Sequence, residues 1–506
     1  MRPPVFDLLE QDMERDAALP FVDLASRYFL RTRDGADPVS TALSSAEIAP
    51  RFDEPLPQNG RPLNEVASRI EHDVMTAMNQ LAHPMCMGHQ VSAPLPAAVW
   101  MEAVIAAMNQ SVAVAEMSPS ATVLETQLVR WLTGLIGWGA EAGGTLTSGG
   151  TEATFTALLA ARAAVLPNAW QVGLGAEVGA LPVVLCGEHA HYAVTRAVAE
   201  LGLGLDRAIA IPSRDWRMDV EALAIRLNAL AADGVPVMAV VATAGSTATG
   251  SFDELEAIGA LCESRGIWFH VDAAHGASAL LSDVHRDRMR GVARARSVAW
   301  DAHKMMLLPL SAGMLLVRDE GDLDRAFAQR APYLFHGDED GRVWDQGTRS
   351  FQCSRRADAL KVWVALQRYG VSGLGAIYDH LCDVARDLHA AISVHSQFVA
   401  LHEPESNILC FRWVGSATED DAAVDDFNRD LRERYNRSGR GWITTTVLGG
   451  RRVLRVTVMN PRTTRAHVIA LLDGLCEEAA EMRREGNPDP SGSHASASDV
   501  GRASTR

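Results

Sequence analysis

Five short apolar runs, at residues 181–186, 236–243, 267–271, 297–300 and 312–317, alternate with stretches of helical periodicity. Nothing else in the chain restricts its fold as much. Near-continuous apolar runs separated by helices read as strands buried on both faces, which means a mostly parallel sheet with helices packed on either side. In an α/β sheet of that kind, ligands bind beyond the carboxyl ends of the strands. The polar groups that could do chemistry fall at those ends.

The flanks read differently. Up to about residue 60, short amphipathic helices mix with loops such as Pro55-Leu-Pro-Gln-Asn-Gly60. From about 61 to 140 helical periodicity dominates, with Leu63, Val66, Ile70, Val74 and Met75 as an apolar stripe. After about residue 370 a long helix is expected over 374–391, then strands around 407–412 and 452–459, and a last helix from Thr464. The expected units are an N-terminal helical segment (1–110), a large α/β domain (111–370) and a small C-terminal α+β domain (371–485). Residues 486–506, rich in Ser, Gly, Asp and Pro, read as a disordered tail.

Composition excludes some partners. A net charge of −16 argues against nucleic acid and against an anionic membrane surface. No uncharged stretch is long enough to span a bilayer, and the N-terminus shows no apolar signal core. Seven scattered cysteines without paired spacing suit reduced thiols, hence a cytoplasmic location.

The chemistry begins at Thr147-Ser-Gly-Gly-Thr-Glu-Ala-Thr154, which opens a helix. Gly149, Gly150 and Thr151 there could hold a phosphate on free N–H groups, or could form an ordinary helix cap. In Cys186-Gly-Glu-His-Ala-His-Tyr192 a zinc reading competes with one histidine, His191, facing a site; no second Cys/His cluster at structural-zinc spacing supports the metal. Thr243 closes one strand with a small hydroxyl. Asp272 closes another, and Ala274 leaves room beside it for a flat ring. A carboxylate ending an apolar strand is costly unless paired, and a protonated pyridine is a suitable partner. Lys304 follows His303 at the end of the run 297–300, among Trp300, Met305, Met306, Leu307 and Leu308. That apolar setting favours a reactive amine over a surface lysine. His303 could donate to a phosphate or a carboxylate. A lysine able to form a Schiff base and an aspartate able to hold a pyridinium are the parts that a pyridoxal 5'-phosphate (PLP) enzyme requires.

On these segments the chain resembles the group II PLP-dependent amino-acid decarboxylases, a family that includes glutamate, aromatic amino-acid, histidine and diaminobutyrate decarboxylases. The resemblance also takes in His83-Pro84, Ala331-Pro-Tyr-Leu-Phe335, Gln352-Cys-Ser-Arg-Arg-Ala-Asp358 and Leu454-Arg-Val-Thr-Val-Met-Asn-Pro461, in the family's order over about 60–480. It implies PLP fold type I (aspartate aminotransferase-like), a homodimer with active sites at the interface, and a mobile catalytic loop. In that loop Tyr333 matches the tyrosine that protonates the substrate carbanion. Arg455 matches an arginine that binds the substrate α-carboxylate, and His191 is placed to lie against the cofactor ring. Two departures stand out. Asp301-Ala-His-Lys304 replaces the common Asn-Pro-His-Lys, and Ser354 stands where Gly is usual in the Cys-Gly-Arg motif. His89 and Gln90, in the segment that shapes the side-chain pocket, could bond a substrate carboxylate or be packing residues.

The expectation is therefore an α-decarboxylase releasing carbon dioxide and an amine, with acidic substrates favoured and diaminobutyrate or aromatic ones open. Rival readings are an aminotransferase or desulfurase of the same fold, and a non-catalytic paralogue. A nicotinamide dehydrogenase fits less well, because Gly173-Leu-Gly-Ala-Glu-Val-Gly179 misses the dinucleotide spacing by one residue.

Overall fold

The computed structural model describes residues 5–35, 37–177, 180–328, 344–414 and 420–486. Its centre is a seven-stranded sheet: β1 (Gly143–Thr147), β2 (Val183–Gly187), β3 (Ala208–Ile211), β4 (Val237–Thr243), β5 (Trp268–Asp272), β6 (Ser297–Asp301) and β7 (Gly313–Val317). The spatial order is β1-β7-β6-β5-β4-β2-β3, and β7 alone runs against the rest. All five apolar runs become strands. Their period of two distributes side chains to both faces: Val183 and Leu185 enter one apolar cluster, while Val184 and Cys186 enter another. That two-sided burial is why the runs carry almost no polar residue.

Helices supply the covering layers. Among them are α1 (Pro96–Met108), α2 (Pro119–Ile136) and α3 (Gly150–Val165). Helix α3 leaves β1 at once, and Leu158, Leu159 and Ala161 pack with Val184 and Val241 of the sheet. Helix α4 (Ala359–Ser393) is longer than the expected 374–391, because two helices join at Gly370, where φ is 66°. Helix α2 is tied to the chain after the sheet by a buried ion pair: Arg355 Nη1 donates to Glu125 Oε2 at 3.0 Å.

The second sheet is antiparallel, in the order β8-β9-β11-β10, from β8 (Phe398–Ala400), β9 (Ile408–Trp413), β10 (Thr444–Leu448) and β11 (Arg451–Thr457). It packs with α5 (Asp421–Arg437), and α5 in turn meets α6 (Arg465–Gly486).

The expected stripe at 63–75 is a correction. Its helix ends at Arg69 and passes into a π turn (Ile70–Val74) and a 3₁₀ turn (Met75–Ala77). The change of pitch breaks the periodicity, and none of the five stripe residues is fully buried.

Candidate functional site

Three neighbouring parallel strands deliver polar side chains to one edge: Thr243 from β4, Asp272 from β5 and Asp301 from β6. Thr243 and Asp272 are direct register partners, and the β6 residue opposite Asp272 is Ala299. Beyond Asp301 the chain turns through His303 and Lys304. These groups line a cavity of about 360 Å³ together with Gln90, Ser148, Gly149, Gly150, Thr151, His191, Gly245, Thr247, Ala274 and His275. The lysine and the aspartate singled out by sequence thus share one cavity.

The phosphate end is the entry to α3. A Cβ on Gly150 would stand 2.9 Å from the Ala274 Cβ, so only glycine lets the helix start approach the β5 end this closely. A Cβ on Gly313 would come within 2.4 Å of the Gly149 Cα, which fixes the same approach from β7. Glu152 Oε2 accepts from the Ser148 hydroxyl at 2.6 Å and from Gln352 Nε2 at 2.7 Å, steadying the turn. An anion placed here meets the positive end of the helix dipole.

The ring end is set by Asp272, His191 and Thr243. Asp272 is 7% exposed, and its Oδ1 accepts from the Ala274 N–H at 3.2 Å. His191 Nδ1 accepts from the Ala193 N–H at 3.3 Å, and its ring lies 4.2 Å from that of Tyr192. Burial lowers the His191 pKa; Asp272 opposes that effect and Lys304 reinforces it. Thr243 Oγ1 is buried with no hydrogen-bond partner among the described residues. An orphaned hydroxyl, a glycine cradle at a helix N-terminus and a buried carboxylate at the opposite end match the ring and phosphate of PLP.

The amine is identified by elimination as well as by position. The 506 residues contain two lysines, Lys304 and Lys361. Lys361 is fully buried, donates to Ser311 O at 2.5 Å, and pairs with Glu102 at 2.8 Å and Asp358 at 3.1 Å. Lys304 is partly exposed in the cavity, with Nζ 3.2 Å from Asp301 Oδ2.

On the substrate side Gln90 lines the cavity, and its buried Nε2 has no partner. His89 and Arg455 do not line it. His89 is exposed, its ring 5.0 Å from Trp442, and its pKa is lowered by desolvation and by the Arg455 and Arg432 charges. Arg455, on β11 opposite Cys410, is 6% exposed; its Nε has no hydrogen-bond partner, and burial lowers its pKa. Tyr333 lies outside the described residues.

Among the residues at or behind the site that sequence reading did not assign to it, three ionisable ones stand out. His275 lines the cavity, and its Nε2 is 2.7 Å from Asn407 Oδ1. Asn407 Nδ2 donates to Val458 O, so its oxygen is the acceptor and His275 Nε2 is the donor. Burial, Lys304 and then Arg455 push its pKa down to about 3, so His275 stays neutral. Asp253 accepts from the Thr243 and Met218 N–H groups, each at 2.7 Å, and anchors the end of β4; burial lifts its pKa to about 6. Asp301 is the third. Its signal was the departure from the family's asparagine.

Comparison with known proteins agrees with this geometry. Residues 46–414 match the family model described as the pyridoxal-dependent decarboxylase conserved domain. The L-2,4-diaminobutyrate decarboxylase of Rhizobium meliloti (strain 1021) is 35% identical over 436 residues, covering 85% of this chain and 84% of that protein. The cysteine sulfinic acid decarboxylase of Mus musculus is 31% identical over 446 residues, covering 85% and 88%. The crystal structure of mouse CSAD superposes with a TM-score of 0.86 at 28% identity, covering 95% of this chain and 99% of that one. The chain belongs to the pyridoxal-dependent decarboxylase family: it is a carboxy-lyase of amino acids, of PLP fold type I, with PLP as its cofactor.

Proposed function

We propose that the chain removes the α-carboxylate of an L-amino acid with an acidic side chain, using Lys304 as the amine that anchors the cofactor. The observation that carries the site assignment is the pairing of Lys304 and Asp272 in one cavity, the other lysine being locked by three acceptors. Gly149, Gly150, Thr151 and His303 hold the phosphate; His191, Thr243 and Ala274 frame the ring. PLP, once bound, supplies the electron sink for the bond being broken.

The protein's own residues do the rest. The Asp272 carboxylate accepts the pyridinium N–H and keeps it protonated at the buried end of the site. Arg455, a desolvated guanidinium with no ion pair to a carboxylate among the described residues, receives the substrate α-carboxylate and orients it. His275, neutral and fixed by Asn407, keeps a constant charge between Lys304 and Arg455. Tyr333 donates the proton that replaces carbon dioxide at Cα, as the family resemblance implies.

The acidic substrate class is supported by two arginines outside the cavity lining, Arg455 and Arg432, whose charges both act on His89, the residue before Gln90. A diaminobutyrate substrate is the second reading, favoured by the name of the 35%-identical relative. A screen of L-glutamate, L-aspartate, L-cysteine sulfinate, L-2,4-diaminobutyrate and aromatic amino acids, with carbon dioxide and keto-acid both measured, separates them. Turnover confined to diaminobutyrate overturns the acidic reading, and keto-acid without carbon dioxide overturns decarboxylation.

The working unit we infer is a homodimer. Leu8, Leu9, Met13, Leu19, Phe21, Val22 and Leu30 are exposed in the first thirty residues, an apolar surface suited to a second copy. The three units at 1–110, 111–370 and 371–485 and a cytoplasmic location belong to the same proposal. Supporting it, the seven cysteines are all free, and no helix among the described residues is long and apolar enough to cross a membrane.

A further inference from the structure

Asp301 ends β6 and is 2% exposed. Its Oδ2 lies 3.2 Å from Lys304 Nζ and 3.5 Å from His303 Nε2, while Oδ1 is buried with no hydrogen-bond partner among the described residues. The carboxyl also abuts the phosphate cradle. A Cβ on Gly150 would stand 3.1 Å from Oδ2, and one on Gly313 would stand 2.8 Å from Oδ1. An acidic side chain is thus set beside the first turn of α3, the place argued above to receive a phosphate.

An asparagine at this position could donate an N–H to a phosphate oxygen; an ionised carboxylate cannot. The charges around Asp301 do not compensate. Lys304 and His303 face it from its own turn, with Lys361 behind His303; His191 comes from the loop after β2 and Asp272 from β5. Glu152 lies on α3, its Oε2 taken by Ser148 and Gln352. Burial lowers the His303 pKa, and among the described residues no arginine lines the cavity. With Asp272 given to the pyridinium and the His303 pKa lowered by burial, Lys304 is the one lysine or arginine among the described lining residues to face both Asp301 and a phosphate carrying about −1.5 to −2 charges. Two anions in contact do not both stay ionised; one proton bridges them.

We propose that Asp301 makes cofactor loading proton-coupled: as the phosphate enters, one proton is taken from solvent and held between the Asp301 carboxyl and a phosphate oxygen. No carbon bond forms or breaks and no electrons are transferred in this step; the proton restores the donor that asparagine would supply. The inference rests on the cofactor assignment of this cavity.

Phosphorus NMR of the PLP-loaded enzyme between pH 6.5 and 8.5 tests it directly. The wild type is expected to hold its phosphate at the monoanion shift across that range, and Asp301→Asn at the dianion shift. Calorimetric titration of PLP into cofactor-depleted protein, in buffers of different ionisation enthalpy, should count about one more proton per cofactor for the wild type. Its Kd then rises about tenfold more per pH unit than that of the variant. A dianion shift in the wild type overturns the inference even if the variant does not fold, and so do equal proton counts. Borohydride reduction of the same samples keeps the two failures apart. A label on Lys304 with a dianion phosphorus sinks the Asp301 role alone, whereas no label on Lys304 sinks the site assignment.

Discussion

Arg455→Met should make the protein less active and more stable at once. Arg455 is 6% exposed, its Nε is unpartnered, and desolvation is the main influence on its pKa. If it receives the substrate α-carboxylate, the substitution removes two charge-assisted hydrogen bonds, a loss of about 3–6 kcal/mol at roughly 1.5–3 kcal/mol each. At about 1.4 kcal/mol per factor of ten, kcat/KM falls about 10²–10⁴-fold. Burying an uncompensated charge costs several kcal/mol, and methionine fills much the same volume, so the cofactor-free fold should gain about 1–2 kcal/mol. Steady-state carbon dioxide release and urea denaturation of the same preparations measure the two effects. Arg455→Lys keeps the charge but loses the planar fork, so it should lose activity without gaining stability. A methionine variant with kcat/KM within threefold of wild type, or one destabilised by more than about 1 kcal/mol, would refute the reasoning.

Further outcomes follow from other groups. Tyr333→Phe should shift the product from simple amine toward aldehyde by-product, seen by chromatography; an unchanged product ratio removes the proton-donor role. Acid should weaken the fold, because burial holds His270 at a pKa of about 4 and His275 at about 3 against 6.5 when unfolded. The unfolded chain then binds more protons below pH 6.5, and this stability is lost as pH falls from there toward 4. Between pH 7.5 and 5.5 each histidine accounts for about 1.4 kcal/mol. Asp253, lifted to about 6, binds its proton first in the folded state and returns less than about 1 kcal/mol. Denaturant midpoints at the two pH values should differ by a net loss of about 2 kcal/mol, and an unchanged midpoint contradicts the burial assignments. Arg355→Met should cost about 3–5 kcal/mol by leaving Glu125 uncompensated, and Glu125→Leu added to it should recover most of that; additive losses would mean the pair is not coupled.

The sequence disclosed most where one physical demand acted alone. Strands β2, β4, β5, β6 and β7 are buried on both faces, so their runs are almost wholly apolar and could be read directly. Strand β1 is equally buried, but Gly143-Gly144 hides it, the second glycine being needed where a Cβ would meet Leu315 O at 2.5 Å. Strands β3 and β10 keep exposed positions and lack a continuous apolar run. Lys304, Asp272 and the glycine cradle were legible because each sits at a strand end or helix start. His275 and Asp253 were not, because their roles depend on partners far along the chain or across the sheet; Asp301, whose partners His303 and Lys304 lie two and three residues on, showed only as a departure from the family's motif. Asn407 lies 132 residues from His275, and no local spacing announces that contact.

Because the chain has only two lysines and one is locked, the central claim has an unusually clean readout. The protein is incubated with PLP, reduced with borohydride, digested and mapped by mass spectrometry. The account requires a phosphopyridoxyl group on Lys304, lost in Lys304→Ala together with carbon dioxide release. Modification at Lys361, or none at either lysine in an active preparation, would contradict it.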